Sequence, residues 1–142
     1  MEFISHNEEE TKEFAENFAK MVKPGQILAL KGDLGSGKTT FTKYLAAALG
    51  VEKIVTSPTF VILKKYPILK SDRFNQLIHI DCYRLSSPED LESIGFFEFL
   101  DDSKNLIVVE WPETVISILK NKVQLLEFEY ISETERKITE VA

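Results

Sequence analysis

A chain of 142 residues with 44% hydrophobic residues reads as one domain spanning residues 1–142, long enough to bury a core. Its 17 basic against 23 acidic residues, net −6, argue against a broad nucleic-acid surface, which needs clustered Lys and Arg, so any link to RNA is expected to be indirect. The single cysteine, Cys82, excludes an internal disulfide; Met1 to His6 lack a basic segment followed by a long apolar one, and no run approaches the roughly 18 apolar residues of a membrane span, so the expected location is cytoplasmic.

Asn7-Glu8-Glu9-Glu10-Thr11 opens a helical pattern that places Phe14, Ala15, Phe18, Ala19 and Val22 on one stripe, with acids in the first turn and Lys20 and Lys23 near the end, as the helix dipole favours. Pro24-Gly25 stops it. A buried strand, Gln26 to Lys31, then leads into Gly32-Asp33-Leu34-Gly35-Ser36-Gly37-Lys38-Thr39, which fits G-x-x-x-x-G-K-[ST] in the strand, loop, helix context of a phosphate-binding loop. Glycines allow a tight turn whose N–H groups point inward at one anion, and the following helix adds its unpaired N–H groups and its positive dipole end. Asp33, Gly35, Ser36, Gly37, Lys38, Thr39 and Thr40 are therefore the expected nucleotide cradle. Lys38 supplies a mobile charge for the β- and γ-phosphates and Thr39 a hydroxyl for Mg²⁺. The helix is expected to end at Gly50, a favoured C-terminal position.

Thr56-Ser57-Pro58-Thr59 reads as a polar turn, and Phe60 to Tyr66 as a strand antiparallel to a second candidate, Leu77 to Tyr83. Ser87-Pro88-Glu89-Asp90 reads as a helix start with Ser87 as cap, Pro88 first and an acid three residues on. Gly95 breaks that helix, and Phe96 begins another turn. Leu106 to Val109 is a continuous apolar run typical of a strand buried on both faces, and Glu110 ends it. Pro112 and Glu113 start a short helix to about Leu119, and Val123 to Ile131 and Arg136 to Val141 are two further strands around a polar turn. Strands alternating with helices and hairpins predict an α/β fold: one domain of the P-loop NTPase kind, with a small mixed parallel and antiparallel sheet flanked by helices.

Hydrolysis needs Mg²⁺ held on the far side of the phosphates and a water in line with the γ-phosphate. Glu110 follows four apolar residues at a strand end, where a Walker-B-type carboxylate belongs, and Asp81 follows Leu77 to Ile80 in a comparable place; either can hold Mg²⁺ directly or through water. Thr59, before a strand, has the placement of a sensing hydroxyl in a switch loop. Trp111, the only tryptophan, is expected near the site, with ordinary core or a partner surface as the alternatives, whereas His79, between Ile78 and Ile80, reads as a strand histidine. A guanine reader would show Asn-Lys-x-Asp after a strand; Asn121-Lys122-Val123-Gln124 precedes one and lacks the acid, so adenine is favoured. The start of the first helix, Asn7 to Thr11, is placed to contact the base, or to cap the helix.

Four motifs in order, Gly32 to Thr40, Ser57-Pro58-Thr59-Phe60, His79 to Leu85 and Val109-Glu110-Trp111-Pro112-Glu113, closely resemble the bacterial TsaE (YjeE) family. The resemblance covers nearly the full length and is strongest between residues 31 and 113. It implies an ATPase, weak alone, that takes ATP and Mg²⁺ and acts with the TsaD and TsaB proteins in threonylcarbamoyl modification of adenosine 37, in tRNAs reading codons that begin with A. By motif position it implies Lys38, Thr59, Asp81 and Glu110 as the catalytic set, Thr39, Asp81 and Glu110 as metal-side residues, and Trp111 beside the nucleotide. Of Glu8, Thr11 and Arg136, outside the sharp motifs, Thr11 is included in the expected nucleotide site.

Two rival functions are distinguishable. A P-loop small-molecule kinase usually brings several arginines to the transferred phosphate, and this chain has three, Arg73, Arg84 and Arg136. A binding module with structural ATP would engage partners whatever the state of the γ-phosphate.

Overall fold

A computed structural model describes residues 1–56, 63–69, 71–119 and 123–141. In chain order these form β1 (Glu2–Ser5), α1 (Glu8–Met21), β2 (Ile27–Lys31), α2 (Lys38–Leu49), β3 (Leu63–Pro67), β4 (Gln76–Asp81), α3 (Glu89–Ser93), α4 (Phe96–Leu100) and β5 (Asn105–Glu110). A 3-10 turn (Pro112–Thr114), α5 (Ile116–Leu119), β6 (Val123–Tyr130) and β7 (Arg136–Val141) complete the order. Thr59 and the first part of the expected strand 60–66 lie outside the described residues, as does the whole of the motif 57–60.

The strands lie in one sheet of order β1-β7-β6-β2-β5-β4-β3. Its centre is parallel, β6-β2-β5-β4, and both margins are antiparallel: β3 returns along β4, and β7 runs between β6 and β1. This is the mixed α/β sheet expected. The short edge strand β1 was not legible in the sequence, because four residues carry too little alternation and their partner, β7, lies at the other end of the chain.

Alternation sorts the sheet's side chains into two cores. Leu28 and Leu30 of β2, Leu77 of β4, Leu106 and Val108 of β5 and Leu126 and Phe128 of β6 pack with Phe18 of α1 and Phe41 of α2. Ile27, Ile78, Ile80, Ile107 and Val109 face the other way, against Leu91, Phe96, Val115 and Leu119. Every residue of β5 is buried, as its continuous apolar run requires.

Local signals explain the helix ends. Asn7 Oδ1 accepts the Glu10 N–H at 2.8 Å and caps α1. At α3 the expected cap differs: Pro88 holds the cap position, and the Asp90 carboxylate reaches back to the N–H groups of Ser86 and Ser87 at 3.0 and 3.3 Å. The acid of the expected box thus does the capping, while among the described residues no serine side chain caps the helix. The segment after Trp111 is one turn of 3-10 helix followed by α5 rather than one continuous helix. Among the described residues no helix is long and apolar enough to cross a membrane.

Candidate functional site

The parallel strands β2, β4 and β5 end side by side, and the loop after β2 folds over their carboxyl ends, where α/β sheets place their ligands. Gly32 is dictated by close approach: a β-carbon there would lie 2.5 Å from the Phe128 carbonyl oxygen and 2.7 Å from Ser36 Oγ. Gly37, at φ 103°, takes the left-handed conformation that starts α2 at Lys38. Ser36 Oγ, buried inside this turn, has no hydrogen-bond partner among the described residues, so the loop encloses a polar atom that it does not itself satisfy.

Lys38 is buried; its Nζ donates to the Gly32 carbonyl and lies 3.7 Å from the centroid of the Trp111 ring. Burial pushes its pKa down, opposed first by Glu110 and then by Asp81. Thr39, next on α2, places Oγ1 3.5 Å from Glu110 Oε1, longer than a strong O–H···O bond.

Parallel register puts Asp81 opposite Glu110, and both are buried. Asp81 Oδ1 accepts the Tyr83 N–H at 2.9 Å, and Glu110 Oε2 meets His79 Nε2 at 2.5 Å. Burial raises the Asp81 pKa; the Tyr83 N–H opposes the rise and the Glu110 charge adds to it. Trp111 follows in a left-handed turn, φ 56° and ψ 59°, its N–H on the Leu30 carbonyl at 3.2 Å and its ring 5.0 Å from that of Tyr83. A non-glycine residue in that region costs of order 1–3 kcal/mol, held here by the strand bond and the ring contact.

These groups border a cavity of about 570 Å³. Thr11, Asp33, Gly35, Ser36, Gly37, Lys38, Thr39, Thr40, Asp81, Glu110 and Trp111 all line it; Thr59 lies outside the described residues. Thr11 is buried at the start of α1, its hydroxyl 2.7 Å from Ser5 Oγ, so the helix start that Asn7 caps also forms a wall of the cavity.

Some lining or supporting residues were not singled out from sequence. Tyr83 borders the mouth, and Phe128 and Ile138 of the C-terminal hairpin form an apolar wall. His79 stands behind Glu110, and its signal was present: it shares a strand face with Asp81, two residues on. Arg136 also lines the cavity, with Nε on the Gly35 carbonyl at 3.0 Å. It is the only arginine to do so among the described residues. The Arg73 guanidinium instead holds the end of α1 through the carbonyls of Val22 and Ala19, at 2.6 and 2.7 Å. Cys82 points into the opposite core, and burial pushes its thiol up to about 12, far from a reactive thiolate.

The donor set suits a hard cation and an anion together. Thr39, Asp81 and Glu110 present only oxygen, and among the described residues no group of three His, Cys, Asp or Glu could hold a metal alone. Mg²⁺ is typically bound so, by one or two carboxylates plus substrate phosphates rather than a protein cage.

The family model described as "Threonylcarbamoyl adenosine biosynthesis protein TsaE" matches residues 5–138. The tRNA threonylcarbamoyladenosine biosynthesis protein TsaE of Bacillus subtilis is 39% identical over 133 residues, covering 94% of this chain and 80% of that protein. The Rickettsia typhi protein of the same name is 42% identical over 115 residues, 80% of this chain and 76% of its own length. A crystal structure of Bacillus subtilis YdiB superposes with a TM-score of 0.76 at 34% identity, covering all of this chain and 84% of that one.

Proposed function

The chain belongs to the TsaE family, and on that premise we propose that it takes part in tRNA threonylcarbamoyladenosine biosynthesis as an ATP-binding, weakly ATP-hydrolysing switch. The modification is of adenosine 37 in tRNAs that read codons beginning with A, and the switch acts on a complex of TsaD and TsaB. The observation that carries this reading is the single cavity edge on which the glycine turn, Lys38, Thr39 and two register-paired carboxylates meet.

The division of labour follows from chemistry. The N–H groups of the turn and of the α2 start bind phosphate, and the Lys38 ammonium exchanges its contacts with Gly32 and Trp111 for phosphate oxygens. Thr39, Asp81 and Glu110 would hold Mg²⁺, which when bound neutralises charge on the β- and γ-phosphate oxygens. Glu110, at a strand end beside the loop, also serves hydrolysis by orienting water. Thr59 belongs to the loop that responds to the γ-phosphate. The apolar wall of Phe128 and Ile138 and the hydroxyl of Thr11 suit the base and sugar. A kinase reading receives no comparable support, since one arginine borders the cavity among the described residues.

The test compares binding with turnover and with partner capture. Glu110→Ala should bind ATP in the absence of metal as the wild type does but, with Mg²⁺, hydrolyse it at least about 100-fold more slowly in the presence of TsaD and TsaB. Pull-down of those partners should differ between ATP, ADP and a non-hydrolysable analogue; capture that ignores the γ-phosphate would refute the switch.

A further inference from the structure

On the face of β4 and β5 that looks toward α1 and α2, the residues preceding the strand ends are Leu77, Leu106 and Val108, with one exception. The exception is His79, fully buried. Its Nε2 lies 2.5 Å from Glu110 Oε2, and its Nδ1 has no partner among the described residues. Burying a ring with one nitrogen unpaired costs free energy that a leucine at the same place would not incur. What the histidine supplies instead is one contact, on Glu110.

The unpaired nitrogen also assigns the tautomer. A bare lone pair is cheaper to leave without a partner than an N–H group, so the proton sits on Nε2, which donates to the carboxylate. Glu110 is thereby held through Oε2, and Oε1 is the oxygen turned toward Thr39. Asp81, its register partner, is held the same way by the Tyr83 N–H. Two adjacent carboxylates repel; each is pinned here by one N–H donor.

We propose that His79 is a positioning residue for Glu110: the Nε2–H···Oε2 bond decides which carboxylate oxygen is offered to a divalent cation beside Thr39. The inference rests on the reading of Glu110 and Thr39 as cation-side residues and adds a buried histidine that touches neither cation nor nucleotide.

The bond itself is read in the free wild-type protein. With ¹⁵N-labelled histidine, His79 should show a far-downfield Nε2–H resonance that Glu110→Ala removes; a proton on Nδ1, or a resonance indifferent to Glu110, overturns the proposal even if other variants fail to fold. The consequence is read by electron paramagnetic resonance, with Mn²⁺ titrated into the ADP-bound protein. His79→Leu should weaken Mn²⁺ binding by about 10- to 100-fold while ADP affinity without metal stays within about twofold, and His79→Gln, whose amide reaches the same place, should restore most of the loss. Unchanged Mn²⁺ affinity overturns the proposal, as does an equal loss of metal-free ADP binding, which would mark His79 as core support alone. Failure of the wild type to bind ADP would sink the nucleotide reading instead, and is told apart because it leaves the Glu110-dependent resonance in place.

Discussion

The Lys38 ammonium lies 3.7 Å from the centroid of the Trp111 ring, a cation held against an aromatic face beside the cavity. Trp111 is the only tryptophan in the chain, so its emission reports where that ammonium sits. On the proposed function, phosphate in the loop would compete for the same charge. ADP or ATP should therefore change the fluorescence of the wild type. Lys38→Ala should weaken nucleotide binding by about 10- to 100-fold, the equivalent of the roughly 1.5–3 kcal/mol of a hydrogen bond to a charged group. Fluorescence titration checked by calorimetry decides it, and equal affinity in the two proteins would count against the role given to Lys38.

Asp81 should cost the free protein stability. Burial and the neighbouring Glu110 raise its pKa above the ordinary 3.8, so the folded state holds the proton more tightly than the unfolded one. The sign follows: this contribution favours folding below about pH 4 and is lost as pH climbs through the raised value. Asp81→Asn keeps an acceptor for the Tyr83 N–H and removes the ionisation. At pH 7 it should melt higher by roughly 3–6 °C, about 1 kcal/mol in a domain this size, with the gap closing near pH 3.5. Melting curves of both proteins across pH test this; a variant that melts lower at pH 7 refutes it.

Two glycines of the loop should respond differently to alanine. At Gly32 the added carbon meets the Phe128 carbonyl oxygen at 2.5 Å, and backbone of a paired strand cannot swing aside. At Gly37 the nearest atom is the Arg136 Cγ at 3.5 Å, an ordinary contact, leaving only the strain of φ 103°. Gly37→Ala should lose about 1–2 kcal/mol, and Gly32→Ala more, about 3 kcal/mol or above, because overpacking adds to strain. Chemical denaturation orders them, and the reverse order would contradict the close approach of β6 to the loop.

Arg73 should matter for stability and not for binding. Its two bonds to the Val22 and Ala19 carbonyls close the end of α1, remote from the cavity. Arg73→Ala should destabilise by about 1.5–3 kcal/mol with nucleotide affinity unchanged. Denaturation and calorimetry on one preparation check both halves, and a large drop in affinity would place a second arginine at the site.

Much of this architecture is local and was legible. The glycine spacing from Gly32 to Gly37 dictates a turn of one shape, Asn7 and Gly50 mark helix ends by their own backbone chemistry, and the apolar run before Glu110 reports burial on both faces. Asp81 and Glu110 could be named because a carboxylate closing an apolar strand is conspicuous against its neighbours. His79 was equally conspicuous, but periodicity shows only which face a side chain takes, never what stands on the next strand.

The remainder belongs to the tertiary structure. That β5 and β6 flank β2, that β1 closes against β7, that Glu110 stands opposite Asp81 and against His79, and that Arg136 reaches a loop 101 residues away are all pairings between distant segments. A strand's alternation records that it has a buried face, and many partners satisfy that record equally. Only packing the whole chain at once, with every backbone group paired and every apolar face covered, selects one strand order and brings these side chains together.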